Sequence, residues 1–300
     1  MKVVECHGLG KTYGGIVALD NLSLSLEAGE PVALVGPNGA GKTTLFSLLC
    51  GFIQTYSGQV SVLGHHPGSA ALSGRISALP QDAQFDPNFS ISSQLRFFAR
   101  LQGMSGRVAD TDVERVLGLV QLTDSAAVST RQLSHGMRKR ASLAQALLGK
   151  PELILLDEPT AGIDPPNVKI IRDLIRTQTH QTTFLISSHN LDELEKLCTS
   201  VIYLNKGKLE HVGKIDEPHT NGFLTLSAPS IPEAEFIQAC AILPGVISVR
   251  RQPQGEFVIV SETGAPTDQA LLALLSQQGW RYRHLINGRT LENQLYGESN

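Results

Sequence analysis

Gly36-Pro37-Asn38-Gly39-Ala40-Gly41-Lys42-Thr43-Thr44 follows directly on an apolar stretch, Pro31-Val32-Ala33-Leu34-Val35. A G-x-x-x-x-G-K-[ST] run between a strand and a helix is a phosphate cradle. Gly36, Gly39 and Gly41 permit the tight turn and let backbone N–H groups approach phosphate oxygens without interference from a Cβ. Lys42 adds a point charge for the β- and γ-phosphates, and the Thr43 hydroxyl is a ligand for Mg²⁺. Lys42–Cys50 reads as a helix whose positive end faces the anion. The segment predicts a nucleoside-triphosphate site at the end of a buried strand.

The chain around it has 300 residues, 41% of them hydrophobic and 18% charged, which fits one large or two smaller globular domains. A formal net charge of −3 gives no reason to expect nucleic acid as a partner. No run approaches the roughly 18 to 20 apolar residues of a membrane span, and Met1–His7 lacks the apolar stretch of a signal peptide. Cys6, Cys50, Cys198 and Cys240 are scattered, without a C-x-x-C pair. That argues against a zinc site or a disulfide framework and fits a reducing cytosol. Any membrane role is therefore expected to come through a partner.

Ahead of the phosphate loop, Val3–Cys6, Leu22–Leu26 and Val32–Val35 read as short strands separated by Gly14-Gly15 and Ala28-Gly29-Glu30, and Gly58–Gly64 reads as another. From about 86 to 150 the pattern turns helical, over Ile91–Leu101, Asp110–Leu119 and Met137–Leu148. Two apolar strands follow, Leu153–Leu156 and Thr183–Ser187, with amphipathic Asn167–Thr177 between them. Alternating strand and helix around a phosphate loop predicts an α/β core, a parallel sheet covered on both faces, carrying a helical insertion. The polar stretch at 205–222 marks a boundary, dividing a domain at 1–215 from one at 222–300. The latter reads strand (Phe223–Leu226), helix (Pro232–Ala241), strand (Val246–Arg250), strand (Phe257–Ser261), helix (Thr267–Gln277), strand (Tyr282–Ile286). That order is ferredoxin-like, with Pro253-Gln254-Gly255 as the central hairpin. A packing or dimerisation module is the expectation for it.

Leu153-Ile154-Leu155-Leu156-Asp157-Glu158-Pro159 reads as a buried strand presenting two acids at its carboxyl end, where ligands gather in open α/β sheets. Neighbouring strand residues point to opposite sides, so one acid addresses the metal and the other a separate target. Asp157 is expected at Mg²⁺, through its water shell, and Glu158 at the attacking water.

Asp157–Thr160, Ala161-Gly162-Ile163-Asp164 and Leu133-Ser134-His135-Gly136-Met137, in this order relative to Gly36–Thr44, resemble the Walker B, D-loop and signature segments of ATP-binding cassette (ABC) ATPases. The resemblance covers roughly residues 2–215 and adds an antiparallel β subdomain to the expected P-loop core. It implies ATP and Mg²⁺ as ligands and ATP hydrolysis as the reaction. Tyr13 matches the aromatic that stacks on adenine. Gln81, in Leu79-Pro80-Gln81-Asp82, matches the Q-loop glutamine that senses Mg²⁺ and the γ-phosphate. His189 matches the switch histidine opposite Glu158, and Asp164 belongs to the D-loop. Ser134 and Gly136, at the positive end of a helix, are an anion site. In the family that loop closes over ATP held by a second subunit, so a dimer, here expected as a homodimer, is part of the mechanism. Arg131, Arg138, Lys139 and Arg140 flank the loop and read as a solvated helix face that also favours phosphate approach.

The loop departs from the commoner L-S-G-G-Q at His135 and Met137. Its L-S-x-G-M form is similar to type-2 ABC exporters, as is a tail such as Thr290–Tyr296 beyond the ATPase core. The resemblance implies an ATPase subunit, held at the cytoplasmic face of a membrane by a separate multispan permease and driving export. A soluble ABC ATPase of a non-transport complex, or a gating ATPase of a membrane complex, are the alternatives. Paired cassettes in one chain and long coiled coils, the marks of such soluble relatives, are not found in the sequence.

Overall fold

A computed structural model describes residues 1–54, 57–215, 221–252, 255–262, 264–288, 291 and 295. The chain divides into two compact units, Met1–Gly213 and Lys214–Asn300.

In the first unit, β1 (Lys2–Tyr13) and β2 (Ile16–Glu27) pair antiparallel across Gly14-Gly15, and β4 (Ser57–Val62) joins the other edge of β1. β1 is far longer than the Val3–Cys6 its apolar pattern suggests. Register shifts at Cys6/Leu9 and Leu9/Lys11, beside Gly8 at φ 58°, let the strand continue by bulging. The second sheet runs in the order β5 (Ile76–Leu79), β6 (Leu153–Asp157), β7 (Thr183–Ser187), β3 (Val32–Val35), β8 (Ser200–Asn205), β9 (Lys208–Lys214). β5 to β8 pair parallel. All of β3 and β7 is buried, as expected of strands covered on both faces.

Register brings the site together. Leu34 and Asp157 both pair with Ser187, and Leu79 pairs with Leu156. Parallel strands share their carboxyl edge, so Gly36, Gln81, Glu158 and His189 all emerge along one rim, from four strands distant in sequence. The helix after the phosphate loop is α1 (Lys42–Leu49), which buries Leu45, Phe46, Leu48 and Leu49.

The insertion contains α2 (Ile91–Leu101), α3 (Gly106–Leu119) and α4 (His135–Ala146). Ser90 caps α2, its hydroxyl accepting from Ser93 N, and Ser134 caps α4. α3 begins four residues before the expected Asp110, because the apolar stripe at Ala109, Val113, Val116 and Leu117 reaches back past a polar first turn. α5 (Pro165–Gln178) opens on two prolines, which suit a first turn where N–H groups lack partners. α6 (Leu191–Leu197) is capped by Asn190.

The second unit runs β10 (Asn221–Ser227), α7 (Glu233–Ala241), β11 (Val246–Arg251), β12 (Glu256–Glu262), α8 (Thr267–Gln277), β13 (His284–Asn287). Its sheet order, β11–β12–β10–β13 with every pairing antiparallel, is the ferredoxin-like arrangement. Phe236 stacks on Phe257 at 4.2 Å between ring centroids and meets Trp280 at 5.8 Å, making the centre of its core. Pro253 and Gln254 of the expected hairpin lie outside the described residues, as do 216–220 of the boundary stretch and most of Thr290–Tyr296.

Candidate functional site

The phosphate loop is held by neighbours on two sides. A Cβ on Gly36 would lie 2.2 Å from the Leu204 carbonyl of β8, and one on Gly41 would lie 2.5 Å from the Ala18 carbonyl of β2. With φ at 103°, Gly41 also adopts a left-handed conformation that a side chain would strain. The turn between β8 and β9 closes the frame, Gly207 N–H donating to Ala40 O at 3.1 Å. Lys42 Nζ donates to Gly36 O at 2.6 Å and to Pro37 O at 3.1 Å, so its charge sits over the loop. Burial lowers the Lys42 pKa, against the opposing pull of Glu158 and Asp157. Thr43 is exposed on the first turn of α1. Tyr13, 45% exposed, stands at the tip of the β1–β2 hairpin that abuts Gly41, and the Lys11 ammonium lies 4.9 Å from its ring centroid.

The two acids take different partners. Asp157, partly exposed, accepts through Oδ1 from Ser187 Oγ. Glu158, the residue after β6, is buried, with φ at 51°, an uncommon conformation for a residue with a side chain. Its Oε1 accepts from both the backbone N–H and Nδ1 of His189, each at 2.9 Å, and Oε2 accepts from Ser188 Oγ at 3.2 Å. Donation from Nδ1 to a carboxylate fixes the His189 ring while its side chain stays 78% exposed. Glu158 and His189 also wall a cavity of about 320 Å³ along Ala161–Ile163, backed by the Arg172–Glu193 ion pair that joins α5 to α6.

Gln81 is exposed two residues beyond β5, and its carbonyl accepts from Lys139 Nζ at 2.8 Å. The following segment is stapled by Gln94, which accepts from Asp86 N–H at 2.8 Å and donates to the carbonyls of Asp86 and Phe89. Ser134 Oγ accepts from Met137 N–H at 3.2 Å. Gly136 packs so closely that a Cβ would lie 2.5 Å from Asn167 Nδ2, and Asn167 donates to Asp164 Oδ1 at 2.5 Å.

Of the basic run, Arg131 and Arg138 are exposed, while Lys139 and Arg140 are partly buried. Arg138 donates to Leu133 O at 2.6 Å, Arg140 to Val120 O at 2.7 Å, and Lys139 to Gln81 O. Three of these cations tie α4 to loop carbonyls within the insertion and, through Gln81, outside it, a use that a charge pattern alone does not reveal. Ser187 and Ser188, which orient the two acids, went unread. Two hydroxyls ending an apolar strand just before a histidine were the available signal.

A hydrated Mg²⁺ suits the oxygen donors on the rim: the Asp157 carboxylate, the Thr43 hydroxyl and the Gln81 amide. Among the described residues no group of three His, Cys, Asp or Glu side chains could cage a metal, so phosphate and water would complete its shell.

The family model for ABC transporters matches residues 19–161. The Nod factor export ATP-binding protein I of Cupriavidus metallidurans is 34% identical over 220 residues, covering 72% of this chain and 72% of that protein. An uncharacterized ABC transporter ATP-binding protein, YhaQ of Bacillus subtilis, is 30% identical over 272 residues, 90% of this chain and 89% of its own. Among solved structures, cbiO1 from Clostridium perfringens, part of the ABC transporter complex cbiONQ, superposes with a TM-score of 0.65 at 27% identity, over 71% of this chain and 88% of that one.

Proposed function

Since the chain belongs to the ABC transporter family, as an ATP-binding subunit that hydrolyses ATP, we propose that it energises an exporter. Two copies close around two MgATP and drive a separate membrane-spanning permease. The observation that supports this reading is a pair of separate helix starts in one chain, α1 behind the phosphate loop and α4 behind Ser134. Gly36–Thr44 offers a framed phosphate cradle, while Ser134 and Gly136 offer a second anion site at the start of α4, where Gly136 packs on Asn167. One chain supplies one of each, so two complete sites need two chains. Export is supported by the likeness to Nod factor export proteins. A peripheral attachment through the permease, at the cytoplasmic face, fits the described residues, where no helix is long and apolar enough to cross a membrane.

In this reading Tyr13 stacks on adenine, and the run Gly36-Pro37-Asn38-Gly39-Ala40-Gly41-Lys42-Thr43-Thr44 wraps the phosphates. Asp157, Thr43 and Gln81 hold Mg²⁺, which, when bound, neutralises developing charge on the phosphoryl group. Glu158 orients the attacking water and accepts its proton, its carboxylate aimed by Ser188 and His189. With Nδ1 donating to Glu158, His189 Nε2 is a donor only in the imidazolium form. Contact with Glu158 and with the γ-phosphate together therefore requires a charged ring. Gln81, bonded to α4 through Lys139, passes closure to the insertion. Residues 1–215 form the ATPase, and 222–300 serve as a packing or dimerisation module.

Purification from native membranes in mild detergent tests the assignment. A stoichiometric multispan protein is expected to co-elute, and the pair, reconstituted in vesicles, to move cargo only with ATP. Recovery of soluble partners alone would overturn the transport reading and leave the ATPase standing. A permease that co-elutes but supports no flux would make the subunit a gating device.

A further inference from the structure

We propose that Lys11 is a positioning residue for the nucleotide base, a buried cation that backs the Tyr13 ring and strengthens its hold on adenine. The proposal rests on the reading that Tyr13 stacks on the base, and deepens it.

Lys11 and Tyr13 stand at alternate positions of β1, so their side chains leave the same side of the strand. Lysine is seldom buried, yet Lys11 is only 7% exposed. Its ammonium lies over the Tyr13 ring, 4.9 Å from the centroid, and donates to Gln54 O at 3.1 Å. Gln54 belongs to the loop that leaves α1, whose end is closed by Gly51 N–H on Leu48 O and Phe52 N–H on Ser47 O. The cation thus joins the strand that ends in Tyr13 to the loop behind the phosphate-binding helix. The hairpin itself is fixed on the phosphate loop. Lys11 pairs with Leu19 but Thr12 with Val17, so Ala18 is an extra residue on β2, and its carbonyl is the one that abuts Gly41. With the hairpin set against Gly41, the freedom left to Tyr13 is that of its own side chain, which the ammonium restrains.

A cation over one face of an aromatic ring draws the π electrons toward itself. The opposite face becomes less negative and better suited to the electron-rich face of adenine. Because Lys11 is buried while Tyr13 is 45% exposed, that opposite face is the open one. The ring is also held before the nucleotide arrives, so less side-chain freedom is lost when the base stacks. Both effects act on the base and neither acts on the phosphates. That difference separates a cation working through Tyr13 from one that merely attracts an anion.

The test uses the full chain with Lys11→Met, which keeps an unbranched stem without the charge, and Lys11→Arg, which restores a cation able to lie over a ring. Displacement of a fluorescent nucleotide is followed with MgATP and with magnesium tripolyphosphate, which carries phosphates but no base. Lys11→Met is expected to weaken ATP binding about threefold, the scale of a partly desolvated cation–π contact, and to leave tripolyphosphate within about 1.5-fold. Turnover at saturating ATP is expected to stay within about twofold, since stacking is the same in ground and transition states. Lys11→Arg is expected to recover most of the ATP affinity. In a Tyr13→Ala background, Lys11→Met is expected to change ATP binding by less than about 1.5-fold, because the cation acts through the ring. Equal loss of ATP and tripolyphosphate would overturn the proposal and make Lys11 a support of the phosphate loop. So would unchanged ATP binding in Lys11→Met, or a threefold loss that persists without Tyr13. If Tyr13→Ala alone leaves ATP binding unchanged, the stacking reading falls and the proposal with it, a failure seen without any change at position 11.

Discussion

Glu158→Gln separates binding from chemistry, and the structure sets what each should cost. Glutamine keeps the size of the side chain, so its oxygen can still accept from the N–H and Nδ1 of His189 where Oε1 does now. The amide nitrogen then faces Ser188 Oγ, and the hydroxyl turns from donor to acceptor. Three charge-assisted bonds become three neutral ones, and the expected loss is no more than about 2 kcal/mol of stability. Glu158→Ala would instead strand the buried Ser188 hydroxyl and the His189 N–H, at about 1–3 kcal/mol each, and confuse misfolding with catalysis. The chemical cost is larger. Removing a positioned proton acceptor lowers the rate by about 10²- to 10⁴-fold. The variant should therefore bind ATP, show almost no phosphate release, and accumulate a dimer visible by light scattering when ATP is present. Phosphate release within about twofold of the parent chain would show that the barrier does not depend on this carboxylate, and Glu158 would lose its role.

Tyr13→Ala should raise half-saturating ATP about fivefold, the equivalent of roughly 1 kcal/mol of stacking, in a nucleotide titration. An unchanged titration would make Tyr13 only the end of a strand. Gly136→Ala places a methyl 2.5 Å from Asn167 Nδ2, so the signature turn or α5 must shift. ATP-driven dimerisation should then weaken while fluorescent-nucleotide binding to the single chain persists, and an intact dimer would show the contact to be unimportant. Burial pushes the thiols of Cys6, Cys50 and Cys240 up to about 12, and Cys198 higher still. Folded chains keep these protons while unfolded ones release them above about pH 8.5, so stability should decline toward alkaline pH. Urea midpoints at neutral and alkaline pH check the sign, and rapid alkylation of the native chain at neutral pH would contradict the burial.

What could be read from the sequence was local. Thr183–Ser187, Ile91–Leu101 and Thr267–Gln277 coincide with β7, α2 and α8, because each is a short apolar run or stripe bounded by its own caps and turns. The ferredoxin-like order was equally plain, since hairpin and crossover lengths leave few ways to connect four strands and two helices. β5 and the β8–β9 hairpin were harder to see. Ile76-Ser77-Ala78-Leu79 is too short and mixed to stand out, and becomes a strand only by pairing with β6. The site shows the same divide. Glu158 and His189 each carried a signal, but the bonds joining them cross 31 residues and follow from strand register, which no local pattern encodes. The Arg138–Arg140 run shows the same limit, since a charge pattern does not tell which carbonyls the cations reach.

The frame around the phosphate loop has a consequence for how affinity can change. The Leu204 and Ala18 carbonyls press on Gly36 and Gly41, and the β8–β9 turn is bonded to Ala40. A loop clamped in this way has little conformational entropy left to surrender, so ATP pays mainly for its own immobilisation. Tightness of binding then becomes a property of scaffolding that never meets the nucleotide. Gly207 shows how, since a side chain there would drive into Ala18 at 2.8 Å and loosen the mould from behind. A drift in β2 or the β8–β9 turn could thus retune the working ATP concentration of the cassette while every residue that touches the ligand stays the same.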